Sequence, residues 1–316
     1  MHGAIEPRSA DLAGPLTVVV SGLATTALAL LGVFWLARNS DDFNVMGWYA
    51  NYVIPAGAIL VGIAASSGYG LASWFKGVKI TGILLVAVLG FQVAAYFAAQ
   101  YAEFVQLALT FEDGTPVDFL SYFDWTARSF AWEQKDGSAG APLGVWGYAF
   151  RGLEILGFSL GSLVVPIVLR KHPYCEACAV YMRKSTLGWI AASIPHKKLK
   201  KREEEAQAAQ AAAQQEAFDR GKSLAADLGE RARTGDSSGF RARLAENGTP
   251  EKEAGKLPLR IAVKLSSCQR CSAGELVVSL WSGQGQNVKE EPLQSHTVEP
   301  HFVRELKMAQ VVPRGK

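Results

Sequence analysis

The sequence has few charged residues and lacks several of the common reaction motifs. Asp, Glu, Lys and Arg make up 19% of its 316 residues, whereas a soluble domain has roughly 25%. It contains no phosphate-binding loop, no dinucleotide-binding glycine motif and no HExxH pattern. These absences argue against the nucleotide-dependent and metalloprotease functions that those motifs identify.

Histidine is scarce as well, and its five residues lie outside every long apolar stretch: His2, His172, His196, His296 and His301. A haem held by two histidines within a bilayer is therefore excluded. The sequence also lacks the paired broken helices, repeated in two halves, that are typical of secondary transporters.

Long apolar stretches are what the sequence does contain. A helix that rises 1.5 Å per residue needs about 20 apolar residues to cross roughly 30 Å of hydrocarbon. Four stretches are long enough: Leu16–Ala37, Trp48–Phe75, Ile80–Phe104 and Trp146–Leu169. They predict an all-α membrane domain, a four-helix transmembrane bundle over residues 15–170 that follows a short tail at 1–14. The first stretch is longer than the apolar core of a cleaved signal peptide.

The distribution of Lys and Arg predicts the orientation of these helices, because basic loops stay in the cytoplasm. Lys76 and Lys79 lie between the second and third stretches, and a basic segment at 183–202 follows the fourth; the connector at 105–145 is acidic. We expect a multi-pass protein of a bacterial-type inner membrane, with both termini cytoplasmic. The basic segment is expected to bind anionic lipid, and nucleic acid is the weaker alternative because no nucleic-acid-binding fold is indicated.

Aromatic residues recur at helical spacing in the connector, at Phe119, Tyr122, Phe123 and Phe130. This pattern predicts an amphipathic helix that lies in the interface on the outward-facing side of the membrane, or a lid over the bundle. In the fourth stretch, Gly157 and Gly161 form a GxxxG pair, which favours close helix contact either within the bundle or between protomers of a homo-oligomer.

All four cysteines fall into two CxxC pairs, Cys175/Cys178 and Cys268/Cys271. Two such turns can supply the four thiolates of a tetrahedral zinc site, so we predict one bound Zn. The second pair lies between two β-like runs and resembles the knuckle of a zinc ribbon over about a dozen residues. A redox dithiol, an iron–sulfur site and unliganded cysteines are the alternatives.

The two pairs are separated by 89 residues, far more than in a compact zinc ribbon. We therefore predict a cytoplasmic α+β module over 171–316 with a helical insertion at about 185–247. The tail after about residue 305 is expected to be loose. Because the metal would bring distant segments together, binding and folding are expected to be coupled.

Polar residues line one face of the third stretch, at Gln92, Tyr96, Gln100 and Glu103. Asn51, Arg151 and Glu154 lie at about the same depth, so these seven residues predict a polar cluster in the outer half of the bundle. The cluster is either a structural Arg–Glu pair with interhelical hydrogen bonds or a pocket for a small polar or ionic ligand.

Together these patterns favour a non-enzymatic, membrane-anchored interaction protein that presents its zinc module and helical arm to a protein partner. The alternatives are a small channel, carrier or ligand sensor that uses the polar cluster, and a thiol redox protein.

Overall fold

The computed structural model describes residues 13–39, 45–51, 53–131, 140–195, 204–285 and 287–310. The chain divides into two compact units, Met1–His172 and Pro173–Lys316. The first unit contains the helices α1 (Ala13–Asn39), α2 (Ala56–Lys76), α3 (Gly82–Leu107), α4 (Phe119–Arg128) and α5 (Gly147–Arg170). The second begins with the strands β1 (Tyr174–Cys175), β2 (Val180–Tyr181) and β3 (Arg183–Ala191). It continues with α6 (Glu204–Thr234), α7 (Ser237–Asn247), α8 (Glu251–Ala254), β4 (Leu259–Ser267), β5 (Gly274–Ser282), β6 (Lys289–Val298) and α9 (Pro300–Gln310).

Four helices of the first unit, α1, α2, α3 and α5, are long and apolar enough to cross a membrane. The second of them begins at Ala56, eight residues later than the predicted stretch beginning at Trp48. Its start is set by Pro55, which lacks an N–H group and precedes the helix. The turn before it includes Asn51, whose φ is 51°.

Glycines allow α2 to pack closely against both α1 and α5. A Cβ on Gly62 would collide with the carbonyl of Phe158, and one on Gly68 with the carbonyl of Ser21. In α5, a Cβ on Gly157 would lie 2.7 Å from the ring of Pro55, and one on Gly161 would collide with Ile59. The GxxxG pair is therefore used for contact within the bundle.

The predicted aromatic helix is α4, and its aromatic side packs on the bundle. Asp118 caps it by accepting hydrogen bonds from the N–H groups of Leu120 and Ser121. Tyr122 is buried, and its ring lies 5.4 Å from that of Phe104 in α3. Leu120 is 77% exposed, so an apolar surface is also left on the outer side of this helix.

The second unit is built on a four-stranded antiparallel sheet in the order β3-β4-β5-β6. Alternation along β4 and β5 places their apolar side chains on one face, at Ile261, Val263, Leu265, Leu276 and Val278. Helices α6, α7 and α9 supply the other half of this core, through residues that include Leu228, Phe240 and Phe302.

Two predictions for this unit are corrected. The helical insertion begins at Glu204 and not near residue 185, because residues 183–191 pair with β4 and place Ile190 opposite Ile261. The tail is not loose from residue 305, because α9 runs to Gln310 and buries Phe302 and Leu306 in the core. Part of the basic segment, residues 196–202, lies outside the described residues.

The opposite face of the sheet carries a stack of aromatic and cationic side chains. Arg260 is only 6% exposed. Its guanidinium lies 5.7 Å from the Trp189 ring and 5.6 Å from the Trp281 ring. It also donates a hydrogen bond to the carbonyl of Leu257 at 2.9 Å. The two indoles meet edge to face at 5.2 Å and cover the buried charge.

Candidate metal centre

The two CxxC pairs occupy the tips of two tight hairpins. Cys175 is the last residue of β1, where it pairs with Val180 of β2, and Cys178 lies in the turn between the two strands. Cys268 and Cys271 lie between β4 and β5, and the N–H of Cys268 donates to the carbonyl of Ala273 at 2.8 Å. Each hairpin therefore presents two thiols at a fixed spacing, as the sequence predicts.

The structure brings the four sulfurs together despite their separation in sequence. All four Sγ atoms lie within 4.8 Å of one another. The Sγ atoms of Cys175 and Cys271 are 3.6 Å apart, too far for a disulfide, whose bond length is about 2.05 Å. Ligands 2.3 Å from a tetrahedral zinc ion stand about 3.8 Å apart. The four cysteines can therefore hold a single metal ion.

Backbone N–H groups point toward the first sulfur of each pair. The N–H of Arg270 lies 3.4 Å from the Sγ of Cys268, and the N–H of Cys271 also donates to it. In the other hairpin, the N–H of Cys178 donates to the Sγ of Cys175. Such hydrogen bonds stabilise thiolates, the form of cysteine that binds metal ions.

The pKa values of the thiols differ because they share a crowded site. Burial raises the pKa of Cys268, but the surrounding N–H and thiol donors lower it by more, to about 7. Burial raises the pKa of Cys175, and burial with the neighbouring thiols raises that of Cys178 to about 12. One thiolate forms readily and the next are opposed by its charge, so a cation is needed to deprotonate all four.

The two hairpins also contact each other through a basic side chain. The guanidinium of Arg270 donates to the carbonyl of Cys178 at 3.1 Å. Cys175 and Cys268 are 4% and 0% exposed, whereas Cys178 and Cys271 are partly exposed. Each pair thus contributes one inner and one outer sulfur.

Three residues of the predicted intramembrane cluster, Tyr96, Arg151 and Glu154, hydrogen-bond to one another. Glu154 is buried and its Oε2 accepts hydrogen bonds from Tyr96 at 3.0 Å and from Arg151 at 2.9 Å. Gln92 donates to the hydroxyl of Thr26 at 2.7 Å. Glu103 lies at the α4 end of α3, where it contacts Tyr122. Gln100 has a buried Oε1 without a hydrogen-bond partner among the described residues.

One member of the predicted cluster does not belong to it. Asn51 is exposed in the turn before α2, and no described contact joins it to the other six residues. Asn51 lies in this turn because the helix begins only after Pro55. Tyr49 takes the place near Arg151 and Glu154, and its hydroxyl donates to the carbonyl of Phe150 at 2.8 Å.

Sequence reasoning missed Thr26, Tyr49 and Tyr69. The signal for Thr26 and Tyr69 was a hydroxyl in an otherwise apolar helix, since Tyr69 lies beside both Thr26 and Gln92. No comparable signal marks Tyr49, because its place depends on the turn before α2. Comparison of the chain with protein-family models, with curated proteins and with solved structures gives no match.

Proposed function

We propose that this chain is a membrane-anchored zinc protein whose bundle crosses the bilayer and whose second unit binds a protein partner. The observation that supports it is the set of four cysteine sulfurs within 4.8 Å of one another. A tetrahedral thiolate site at this spacing is closed, without a place for a substrate, as in structural zinc centres. The metal would hold the β1–β2 hairpin to the β4–β5 hairpin.

The rival redox function receives less support from the same geometry. A CxxC dithiol acts by closing a disulfide within one pair, whereas here the 3.6 Å contact joins Cys175 to Cys271 of the other pair. An iron–sulfur cluster has to fit between its cysteines and needs the sulfurs further apart. A single iron ion fits the same donors as zinc, and elemental analysis distinguishes the two.

The partner is proposed to bind the first half of α6. Residues 205–212 are exposed except for Gln210, whereas the second half of the helix buries Ala225, Leu228 and Ala232 against the sheet. Gln214 fixes the boundary by exchanging two hydrogen bonds with the backbone of Ile194. A photo-crosslinking residue at Ala208 should therefore join the chain to a second protein in cells, and one at Ala245 should not.

Metal content is the decisive test of this proposal. Full-length protein purified in detergent should contain one zinc ion per chain. Cys178→Ser and Cys271→Ser should each lose it, whereas Gln269→Ala, inside the second CxxC but without a thiol, should retain it. Folded wild-type protein with well under one equivalent of zinc, or with iron in its place, would contradict the proposal.

Topology is tested separately. We propose that both termini and the second unit lie in the cytoplasm, with anionic lipid bound by the basic segment that begins at Arg183 and Lys184, both exposed. A cysteine introduced at Thr115 should react with an impermeant reagent applied from outside, and one at Ala242 should not, each measured against the wild-type background. The opposite labelling pattern would reverse the orientation.

A further inference from the structure

Several polar atoms inside the first unit are buried without a hydrogen-bond partner among the described residues. They lie on three helices and are Ser73 Oγ, Gln92 Oε1, Gln100 Oε1, Arg151 Nε and Ser159 Oγ. Gln92 and Ser73 are 0% exposed, and Ser159 is 3% exposed. Unpaired polar groups are costly in a protein interior, and hydrocarbon offers them no partner. A molecule inside the bundle can supply the missing hydrogen bonds.

The spacing of these atoms indicates what that molecule is. Gln92, Tyr96 and Gln100 follow one another at intervals of four residues along α3, so the glutamines are about 12 Å apart along the axis. On α2, which ends at Lys76, Tyr69 and Ser73 are both buried and are four residues apart. One compact ligand cannot reach atoms spread over this length. Water can, because each molecule binds two to four polar partners wherever they occur.

A buried carboxylate lies among these polar side chains. Glu154 is 2% exposed and is held by Tyr96 and Arg151, as described above. On the side of Glu154 that faces α4, Arg151 lies near Tyr122, and Tyr122 contacts Glu103. On the other side, Tyr96 is one helical turn from Gln92, which contacts Thr26 and lies beside Tyr69. Polar groups thus lead from Glu154 toward both ends of the bundle.

We propose that these side chains and the water bound between them form a proton pathway through the bundle, with Glu154 as its ionisable step. A proton arriving from one side forms an O–H bond on the carboxylate. The same proton then leaves to the next water or hydroxyl oxygen, so each step breaks one O–H bond and forms another. Arg151 returns the carboxylate to its charged form by pairing with it. Ionisable groups within a membrane act as proton relays of this kind.

The inference rests on the proposed membrane insertion, but not on the metal site. Purified full-length protein is reconstituted into vesicles that contain a pH-sensitive dye, and a potassium gradient with valinomycin drives proton entry. Flotation of the same vesicles reports insertion independently of proton flux. We expect wild-type vesicles to acidify several-fold faster than protein-free vesicles. Glu154→Gln should return the rate to that of protein-free vesicles.

A second variant is needed because Glu154→Gln leaves Arg151 without its partner and can fail to fold. Tyr96→Phe keeps the ring that packs near Phe158 and removes only the hydroxyl bonded to Glu154; it should slow proton entry several-fold. Ser67→Ala is the control, because Ser67 is a half-buried serine of α2 whose hydroxyl donates to the carbonyl of Ala64 in its own helix. Wild-type protein that floats with the vesicles but passes no more protons than protein-free lipid would overturn the pathway. A rate of proton entry that is the same in Tyr96→Phe as in the wild type would also overturn the pathway.

Discussion

Ala179 and Ser272 occupy equivalent positions in the two hairpins of the cysteine site, each directly after the second cysteine of its pair. Both have a positive φ, 50° for Ala179 and 61° for Ser272. The left-handed turn that follows each CxxC brings the chain back toward its partner strand. Neither residue is glycine, so each turn is held at a cost in backbone free energy.

Glycine at these two positions should stabilise the second unit. It removes a left-handed penalty of about 1–2 kcal/mol and loses about 0.5–1 kcal/mol through the greater freedom of the unfolded chain. Ala179→Gly and Ser272→Gly should each raise the free energy of unfolding by roughly 0.5–1 kcal/mol. Denaturant unfolding of the zinc-loaded protein measures this change in the free energy of unfolding. Ala273→Gly, at a neighbour without a positive φ, should be destabilising, and equal effects at all three sites would contradict the argument.

Removal of the metal should loosen the hairpins without unfolding the sheet. The sequence suggests that metal binding and folding are one event, but the 89 residues between the pairs include β2, β3, α6, α7, α8 and β4, and most of these elements contribute to a hydrophobic core that contains no cysteine. Chelation should lower the melting temperature and keep the β signal in circular dichroism. Hydrogen exchange should accelerate at 174–181 and 268–273 and stay slow in β4 at 261–265. Complete loss of the β signal would restore the coupled model of folding.

The cysteine site was predictable because the spacing of two cysteines in each CxxC motif is a local feature of the sequence. Two CxxC pairs with no cysteine left over indicate one four-sulfur site wherever the pairs lie in the sequence, and the structure confirms that the four sulfurs come together. Four apolar helices were predictable for a similar reason, since length and composition alone identify them.

What was missed depends on tertiary partners. Residues 183–191 have a basic and mixed sequence, and they form a strand because the backbone of β4 pairs with them. The sequence predicts Asn51 in the polar cluster because it lies near the start of an apolar stretch. The helix begins only after Pro55, so Asn51 lies outside it. Tyr49 and Thr26 enter the polar groups only because other helices bring Phe150 and Gln92 to them. No local pattern encodes those pairings.

Close helix contact in the bundle should depend on Gly62 and Gly161. A methyl group at either position meets a backbone carbonyl of the facing helix, so α2 and α5 must move apart. Gly62→Ala and Gly161→Ala should each cost about 1–3 kcal/mol, as expected for overpacking. Thermal unfolding in detergent measures the loss. The matched control is Gly90→Ala in α3, where an added Cβ has no atom within 4 Å; if it is equally destabilising, close packing is not the cause.

The buried guanidinium of Arg260 should stabilise the open face of the sheet. Arg260→Met keeps most of the side-chain length but removes the charge between the two indoles and the hydrogen bond to Leu257. We expect a loss of roughly 2–3 kcal/mol from the cation–π contact and the unpaired carbonyl. Arg241→Met, at an exposed arginine of α7, should change stability by less than about 0.5 kcal/mol. Similar melting temperatures for the two variants would show that the stack contributes little.

The ion pair between Arg151 and Glu154 should stabilise the bundle, and substitutions of both residues test this. The side chain of Glu154 is 2% exposed and that of Arg151 is 15% exposed, with 2.9 Å between Nη1 and Oε2. Removing one member leaves the other charge uncompensated, which costs about 3–5 kcal/mol for a buried pair. Arg151→Leu should therefore melt at a much lower temperature in detergent, and Arg151→Leu with Glu154→Leu should recover most of the loss, because a pair replaced by apolar side chains leaves no unpaired charge. Both proteins should also carry Tyr96→Phe, because Glu154→Leu otherwise removes the acceptor of the Tyr96 hydroxyl as well, and the difference between them then isolates the ion pair. A single Arg151→Leu variant as thermostable as the wild type would show that this pair does not stabilise the bundle.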